Sequence, residues 1–188
     1  MSERRLDLAR ELGRILPEPT TIVCEIGAGH GHFLTAYAQS HPTELCIGID
    51  IIGDRVARAH RKRDRAGLDR LHFLHAEARL FLEQLPSKTK IHRTFVLFPD
   101  PWPKQRHHKH RILQGDFLTA LHARCTTHAE LFFRTDYRPY YDDALSALTA
   151  HPLWMVTEIT WPFEHRSVFQ DRAETYSSIS ALAQAEAP

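Results

Sequence analysis

Two hydrophobic periods alternate along this chain. Short continuous apolar runs occur at Thr21–Ile26, Leu45–Ile49, Leu71–His75, Phe95–Phe98, Glu130–Arg134 and Trp154–Ile159. Each is too short for a helix and is bounded by turn residues, so each predicts a buried strand. Between them the apolar residues recur at helical spacing. Leu6, Leu8, Leu12, Ile15 and Leu16 mark a helix over residues 3–15, and Phe33, Leu34, Tyr37 and Ala38 one face of Gly31–Ser40. Asp54–Ala66 is a basic helix closed by Gly67, a residue suited to the left-handed cap. Ala78–Leu85, Ile112–Arg124 and Pro139–Ala150 complete the helices. Strand–helix alternation with continuously apolar strands predicts an α/β fold: a mostly parallel sheet covered on both faces. There is no internal repeat, low-complexity tract or linker.

In such a sheet, ligands bind beyond the carboxyl ends of the strands. That places the functional residues at Glu25–Gly31, Asp50, Glu77, Pro99–Trp102 and Thr135–Asp136. Composition is ordinary for a globular chain, 43% hydrophobic and 25% charged over 188 residues. No run reaches the roughly 18 apolar residues of a membrane helix, and the N-terminus has no apolar signal-peptide core. We therefore expect a cytoplasmic protein without a membrane partner. The three cysteines, Cys24, Cys46 and Cys125, have no metal spacing and read as reduced, buried thiols. Net charge is only +1, but the cations are clustered. Arg55, Arg58, Arg61, Lys62, Arg63 and Arg65 crowd one segment, and Lys104, Arg106, Lys109 and Arg111 another. A local basic face is thus compatible with a near-neutral protein.

Glu25-Ile-Gly-Ala-Gly-His-Gly31 follows the first strand and opens a helix. Gly27, Gly29 and Gly31 allow a tight turn and close ligand approach. They do not match the dinucleotide fingerprint, whose third glycine would fall on His32, nor the phosphate-binding lysine loop. Asp50 ends the second strand about 20 residues later, the spacing at which an acid meets ribose hydroxyls; a cap aspartate is the other reading. Glu25 would face the same cleft. Glu77 would accept from an adenine amino group or balance a helix dipole.

Phe98-Pro-Asp-Pro-Trp102 is the most informative segment. Prolines on both sides of Asp100 fix an acid and an aromatic at a strand end, ahead of the basic run Lys104–Arg111. His107, His108 and His110 lack helical i, i+4 spacing and an accompanying acid or Cys, so no metal is expected.

These blocks, with Gly48-Ile-Asp50, Arg134-Thr-Asp136 and Thr160 to Glu164, resemble the bacterial tRNA (guanine-N7)-methyltransferases over residues 22–164. The resemblance implies a Rossmann-like methyltransferase fold, S-adenosylmethionine as methyl donor, no metal, and tRNA as partner, methylated on a guanine N7, in the variable loop. It implies cofactor contacts at Glu25, Gly27, Gly29, Gly31, Asp50, Glu77 and Asp100, with Asp100 catalytic. It places Lys104, Asp136, Thr160 and Glu164 on the substrate, beside Trp102 as a stacking platform and Arg106, Lys109 and Arg111 as phosphate contacts. One domain is expected over 1–188: an N-terminal helix or arm (1–20), a core (21–160) and a C-terminal substrate-side segment (161–188). The chain departs from the family pattern at Glu77, where Asp is usual, in the Thr160–Glu164 block, one residue longer, and at Thr126–Ala129, where a Pro-Gly turn is usual. Beyond Phe169 no match is found. Another RNA or small-molecule methyltransferase, or an RNA-binding homologue that has lost catalysis, are the rival readings. An adenine-amino methyltransferase would carry two prolines between acid and aromatic, where this chain has one. Oligomeric state, monomer or homodimer, is left open.

Overall fold

The structure, a computed structural model, describes residues 3–165 and 175–185. A seven-stranded sheet carries helices on both faces. Its strands are β1 (Thr20–Ile26), β2 (Cys46–Asp50), β3 (Leu71–His75), β4 (Thr89–Leu97), β5 (Cys125–Thr135), β6 (Trp154–Val156) and β7 (Ser177–Ala183). The helices are α1 (Glu3–Ile15), α2 (His32–Ser40), α3 (Gly53–Ala66), α4 (Ala78–Gln84), α5 (Gly115–His122) and α6 (Arg138–Ala150), with a 3-10 turn at Gln105–His110.

The strand order is β3-β2-β1-β4-β5-β7-β6. The first five strands pair in parallel, and β7 runs antiparallel to both β5 and β6. Chain order reverses direction between β1 and β4, so the crevice of a doubly wound sheet opens at their carboxyl ends. Successive strand residues face opposite layers. Ile22, Cys24 and Ile26 join the layer containing α1, α4, α5 and α6, while Val23, Phe95 and Phe132 pack with Phe33, Leu34 and Tyr37 of α2. The face expected for α2 is buried throughout, and all three cysteines are free and buried. Helix α3 ends as expected, with Gly67 left-handed at φ 62°. Among the described residues, no helix is long and apolar enough to cross a membrane.

The differences from the sequence reading have physical causes. Strands β4 and β5 begin earlier than expected because their first halves are polar on the surface side. Thr126–Ala129 is part of β5, with His128 at φ 61°, not a turn. Helix α5 starts only at Gly115, after Ile112 and Leu113 have been used as loop anchors. The strand expected over Trp154–Ile159 stops at Val156, where the backbone leaves the sheet edge. Strand β7 was not foreseen. Its sequence, Ser-Ser-Ile-Ser-Ala-Leu-Ala, buries Ile179, Ala181 and Ala183 but is too small-residued to show a strong alternation.

Two glycines separate conformation from space. Gly31 and Gly67 both hold left-handed backbone, at φ 69° and 62°. A Cβ on Gly31 would lie 2.6 Å from Phe73 and 2.8 Å from Ala59, whereas one on Gly67 meets nothing within 4 Å. Gly67→Ala should therefore cost roughly 1–2 kcal/mol, the left-handed penalty alone. Gly31→Ala should cost roughly 1–3 kcal/mol more, from overpacking. Urea denaturation of both variants checks the order; equal losses would mean Phe73 yields freely.

Candidate active site

A cavity of about 690 Å3 opens at the carboxyl ends of β1, β2, β3 and β4. Glu25, Gly27, Gly29, Asp50, Glu77, Asp100 and Trp102 all line it. Sequence positions separated by some 75 residues thus meet in one place because parallel strands end on one side. His30, Phe33, His110 and Tyr140 line it as well and were not anticipated. Glycine 31 does not line it; that residue lets α2 approach Phe73.

The turn after β1 is left-handed at Gly27 and Gly29, φ 78° and 55°. A Cβ on Gly27 would meet nothing within 4 Å, so that glycine is required by conformation and leaves room above the backbone. The Asp50 carboxylate locks this turn to the next one. It accepts the N–H of Gly29 at 2.8 Å and the N–H of Ile52 at 2.8 Å. Arg55 stands 3.9 Å away. Each oxygen of an ionised carboxylate has a further lone pair, so two more hydroxyl donors can still be accepted. Glu77 caps α4, accepting the N–H groups of Arg79 and Leu80 at 3.0 Å each. Both readings of Glu77 in the sequence are compatible with this place, since the cap carboxylate also faces the cavity.

Glu25 differs from the other acids. It is buried, and Oε2 has no hydrogen-bond partner. Burial pushes its pKa up to about 8, against an opposing backbone hydrogen bond from Leu34 and with the neighbouring Asp50 charge adding to the rise. An orphaned buried acceptor facing a cavity marks a place for a cationic donor.

The second wall is the Phe98–Trp102 loop. Phe98 and Trp102 hold left-handed backbone at φ 47° and 45°, a conformation that costs aromatic residues on the order of 1–3 kcal/mol each. Asp100 sits between them, exposed at the cavity wall. Among the described residues, its carboxylate has no hydrogen-bond partner. The ring of Trp102 meets His107 edge-on at 5.8 Å and His110 at 4.9 Å.

Arg111 holds this loop, which corrects its assignment as a phosphate contact. Its side chain is 2% exposed. The guanidinium donates to the carbonyls of Pro101 at 3.0 Å, Trp102 at 3.4 Å and Pro139 at 3.3 Å, and pairs with Asp143. Tyr140 and Tyr137 lie against it at 5.0 and 5.6 Å. Four of its five donors are taken up by these acceptors and the side chain is buried, so it is not offered at the surface as the neighbouring cations are. The signal was present in the sequence only as one more cation in a basic run. Lys104, Arg106 and Lys109 are exposed.

Three other expected substrate residues lie outside the cavity lining. Asp136 and Thr160 are exposed. Glu164 is committed to Arg134 through two hydrogen bonds of 3.0 and 2.9 Å. Arg134 lies 3.9 Å from the Trp161 ring and 4.6 Å from Tyr176. Pairing holds the Glu164 carboxyl below its ordinary range.

Comparison with known proteins identifies what this geometry belongs to. Residues 19–178 match a family described as "Putative methyltransferase". The chain belongs to this methyltransferase family. Curated relatives include a tRNA (guanine-N(7)-)-methyltransferase of Streptomyces avermitilis, 32% identical over 88% of this chain and 56% of the relative. A protein of the same name from Leifsonia xyli is 33% identical over 79% of this chain and 63% of its own length. The chain thus spans little more than half the length of the curated relatives it matches. Solved structures agree on the fold. The 16S rRNA (adenine(1408)-N(1))-methyltransferase of Catenulisporales acidiphilia has a TM-score of 0.62 at 16% identity, covering 96% of this chain and 93% of that one. NSun6 from Pyrococcus horikoshii has a TM-score of 0.67 at 13% identity, covering 95% and 52%. The sheet is therefore the Rossmann-like sheet of methyltransferases.

Glu25 folds without penalty when protonated and with one when ionised. Its contribution to stability is full below its ordinary value of 4.5 and is lost as pH rises through about 8. Stability should fall across that window in the parent relative to Glu25→Gln, read from urea denaturation at several pH values. Parallel curves would mean that Glu25 is not desolvated. Arg111→Lys keeps the charge but loses the fork that reaches three carbonyls, and should destabilise the fold by roughly 2 kcal/mol or more. The same variant should leave the salt dependence of RNA binding unchanged; a shallower dependence would restore Arg111 as a phosphate contact.

Proposed function

We propose that this chain transfers a methyl group from S-adenosylmethionine to N7 of a guanine in tRNA, in the variable loop, and acts in the cytoplasm as a single domain. The observation that carries the reading is the Asp100 carboxylate, unpartnered at the cavity wall and held between two prolines and two left-handed aromatics. It stands in a chain whose curated relatives bear that activity in their names.

The donor fits the first wall. S-adenosylmethionine, when bound, supplies an electrophilic methyl on a sulfonium. The orphaned Oε2 of Glu25 accepts its ammonium group, and Glu25 gives up its proton to do so. Asp50 accepts the ribose hydroxyls on its two remaining lone pairs. Glu77, at the start of α4, accepts the adenine amino group. The open space over Gly27 lets the ligand lie against the backbone.

Guanine N7 has a lone pair and no proton, so methylation needs no general base. The requirement is alignment and tolerance of a cationic product. Asp100 accepts from guanine N1–H and N2–H, and its charge favours the cation that develops on the base. Trp102 offers a ring face for stacking an unpaired base. Lys104, Arg106 and Lys109 meet phosphates beyond the rim, with Asp136 and Thr160 on the substrate side. Glu164 contributes through Arg134, which anchors the substrate-side segment to the end of β5.

Asp100→Asn keeps the shape and loses the charge. Turnover should fall at least tenfold while tRNA affinity changes less, because phosphates dominate that term. A tRNA with inosine at the target keeps N7 but lacks the N2 amino group. Losing a hydrogen bond of about 1.5–3 kcal/mol should cut its specificity constant roughly tenfold or more in the parent and far less in Asp100→Asn. Labelled methyl transfer followed by nucleoside analysis reads both. Equal reaction of inosine and guanosine tRNA in the parent would end the proposed role of Asp100.

A further inference from the structure

Beyond Arg55, which lines the cavity beside Asp50, the cationic stretch of α3 has no part in the site described above. Most of it behaves as a solvated helix face: Arg58 and Arg61 are exposed, and Arg63 pairs with Asp64 at 2.9 Å. Lys62 does not. Its Nζ is shielded from solvent and has no hydrogen-bond partner. Lys62 is half-buried, and shielding an ammonium nitrogen without an acceptor disfavours its charged form, so its place needs a cause.

The surroundings supply one. Lys62 and Arg65, one turn apart on α3, line a groove of about 390 Å3 whose opposite wall is the His32, Thr35 and Gln39 face of α2, with His165 at its side. Among the described residues, no carboxylate lines it. The Thr35 hydroxyl is likewise buried without a partner. The groove therefore presents an ammonium, a guanidinium, a hydroxyl, an amide and two imidazoles, and among the described residues it holds no negative charge. Burial and the Arg65 charge both disfavour the charged form of Lys62, a penalty that an anion in the groove would remove. His32 lines this groove and the methyl-transfer cavity alike, so the two are neighbours across one side chain.

We propose that this groove is a phosphate subsite that seats the backbone of the RNA strand whose base enters the cavity, with Lys62 as its central ligand. The inference rests on the RNA reading given above and assigns a second, separate contact to it. A nucleotide in the cavity carries phosphates past the rim, and His32 marks where the strand would cross. A basic patch outside the Lys104–Lys109 run also lets a chain of near-zero net charge grip a polyanion from two sides.

The test compares the parent, Lys62→Gln and Lys62→Arg. Binding of bulk tRNA is followed across a potassium chloride series, with donor affinity by calorimetry and thermal midpoints as controls. Lys62→Gln should weaken tRNA binding several-fold at low salt and make the log–log salt dependence shallower by about 0.7–0.9, one phosphate contact. Lys62→Arg should keep the parent's slope, and donor affinity should be the same in all three. The midpoint of Lys62→Gln should equal or exceed the parent's, since an unpaired buried charge is removed. A lysine that served only the fold would lower it. A parent-like slope in Lys62→Gln overturns the proposal. A parent that binds no tRNA overturns the RNA reading itself, and an RNA-free arm then isolates the groove. Inorganic phosphate, against chloride at matched ionic strength, should raise the parent's midpoint and not that of Lys62→Gln. Equal shifts in both would show that the groove holds no oxyanion.

Discussion

The carboxylate of Asp50 joins the two turns on which the cavity is built. By accepting one N–H from the glycine turn after β1 and one from the turn after β2, each at 2.8 Å, it fixes the spacing of two strand ends. Backbone donors at such turns are otherwise left to solvent, and the loops carrying them would be free to move apart. The same oxygens retain acceptor capacity on the cavity side. In the proposed function one acid serves the fold and the ligand at once, which makes an alanine substitution there ambiguous, since it would loosen the turn as well as remove an acceptor.

The opposite wall uses the reverse strategy. There the acid, Asp100, has no hydrogen-bond partner among the described residues, and the rigidity comes from its neighbours. Two prolines restrict the backbone, and two aromatics occupy left-handed conformations that only a well-determined environment sustains. Arg111 is a large part of that environment, since it binds the carbonyls of both Pro101 and Trp102 while stacking on Tyr140. Strain near a reacting centre is tolerable when a buried hub over-determines it. The arrangement leaves the Asp100 charge uncommitted at the cavity wall, as the proposed stabilisation of a developing cation requires.

Charge is sorted by burial in the same way elsewhere. Arg134 lies between Trp161 and Tyr176 and is neutralised by Glu164, so it ties the chain after β6 to the centre of the sheet. Lys62 is only half-buried, its Nζ is shielded, and it has no such acid among the described residues. Of the cations that look alike in the sequence, Arg111 and Arg134 are structural because their acceptors are internal, while the described residues offer Lys62 none.

The sequence by itself determined the alternation of strands and helices, the glycine turn, the acids at strand ends, and the Asp-Pro-Trp block. These are local: a period of 2 or 3.6, a left-handed turn, a proline's fixed φ. It also carried the family resemblance, because the resemblance rests on contiguous motifs. The tertiary structure alone decided three things. It inserted β7 between β5 and β6, a pairing of residues about 50 apart that its Ser- and Ala-rich sequence does not announce. It turned Glu25 from one acid among four into the orphaned, desolvated one, since burial is a property of the whole fold. And it divided a run of similar cations into a buried hub at Arg111 and exposed side chains at Lys104, Arg106 and Lys109. A guanidinium's role is set by which acceptors surround it in space, and those acceptors come from segments that are distant along the chain.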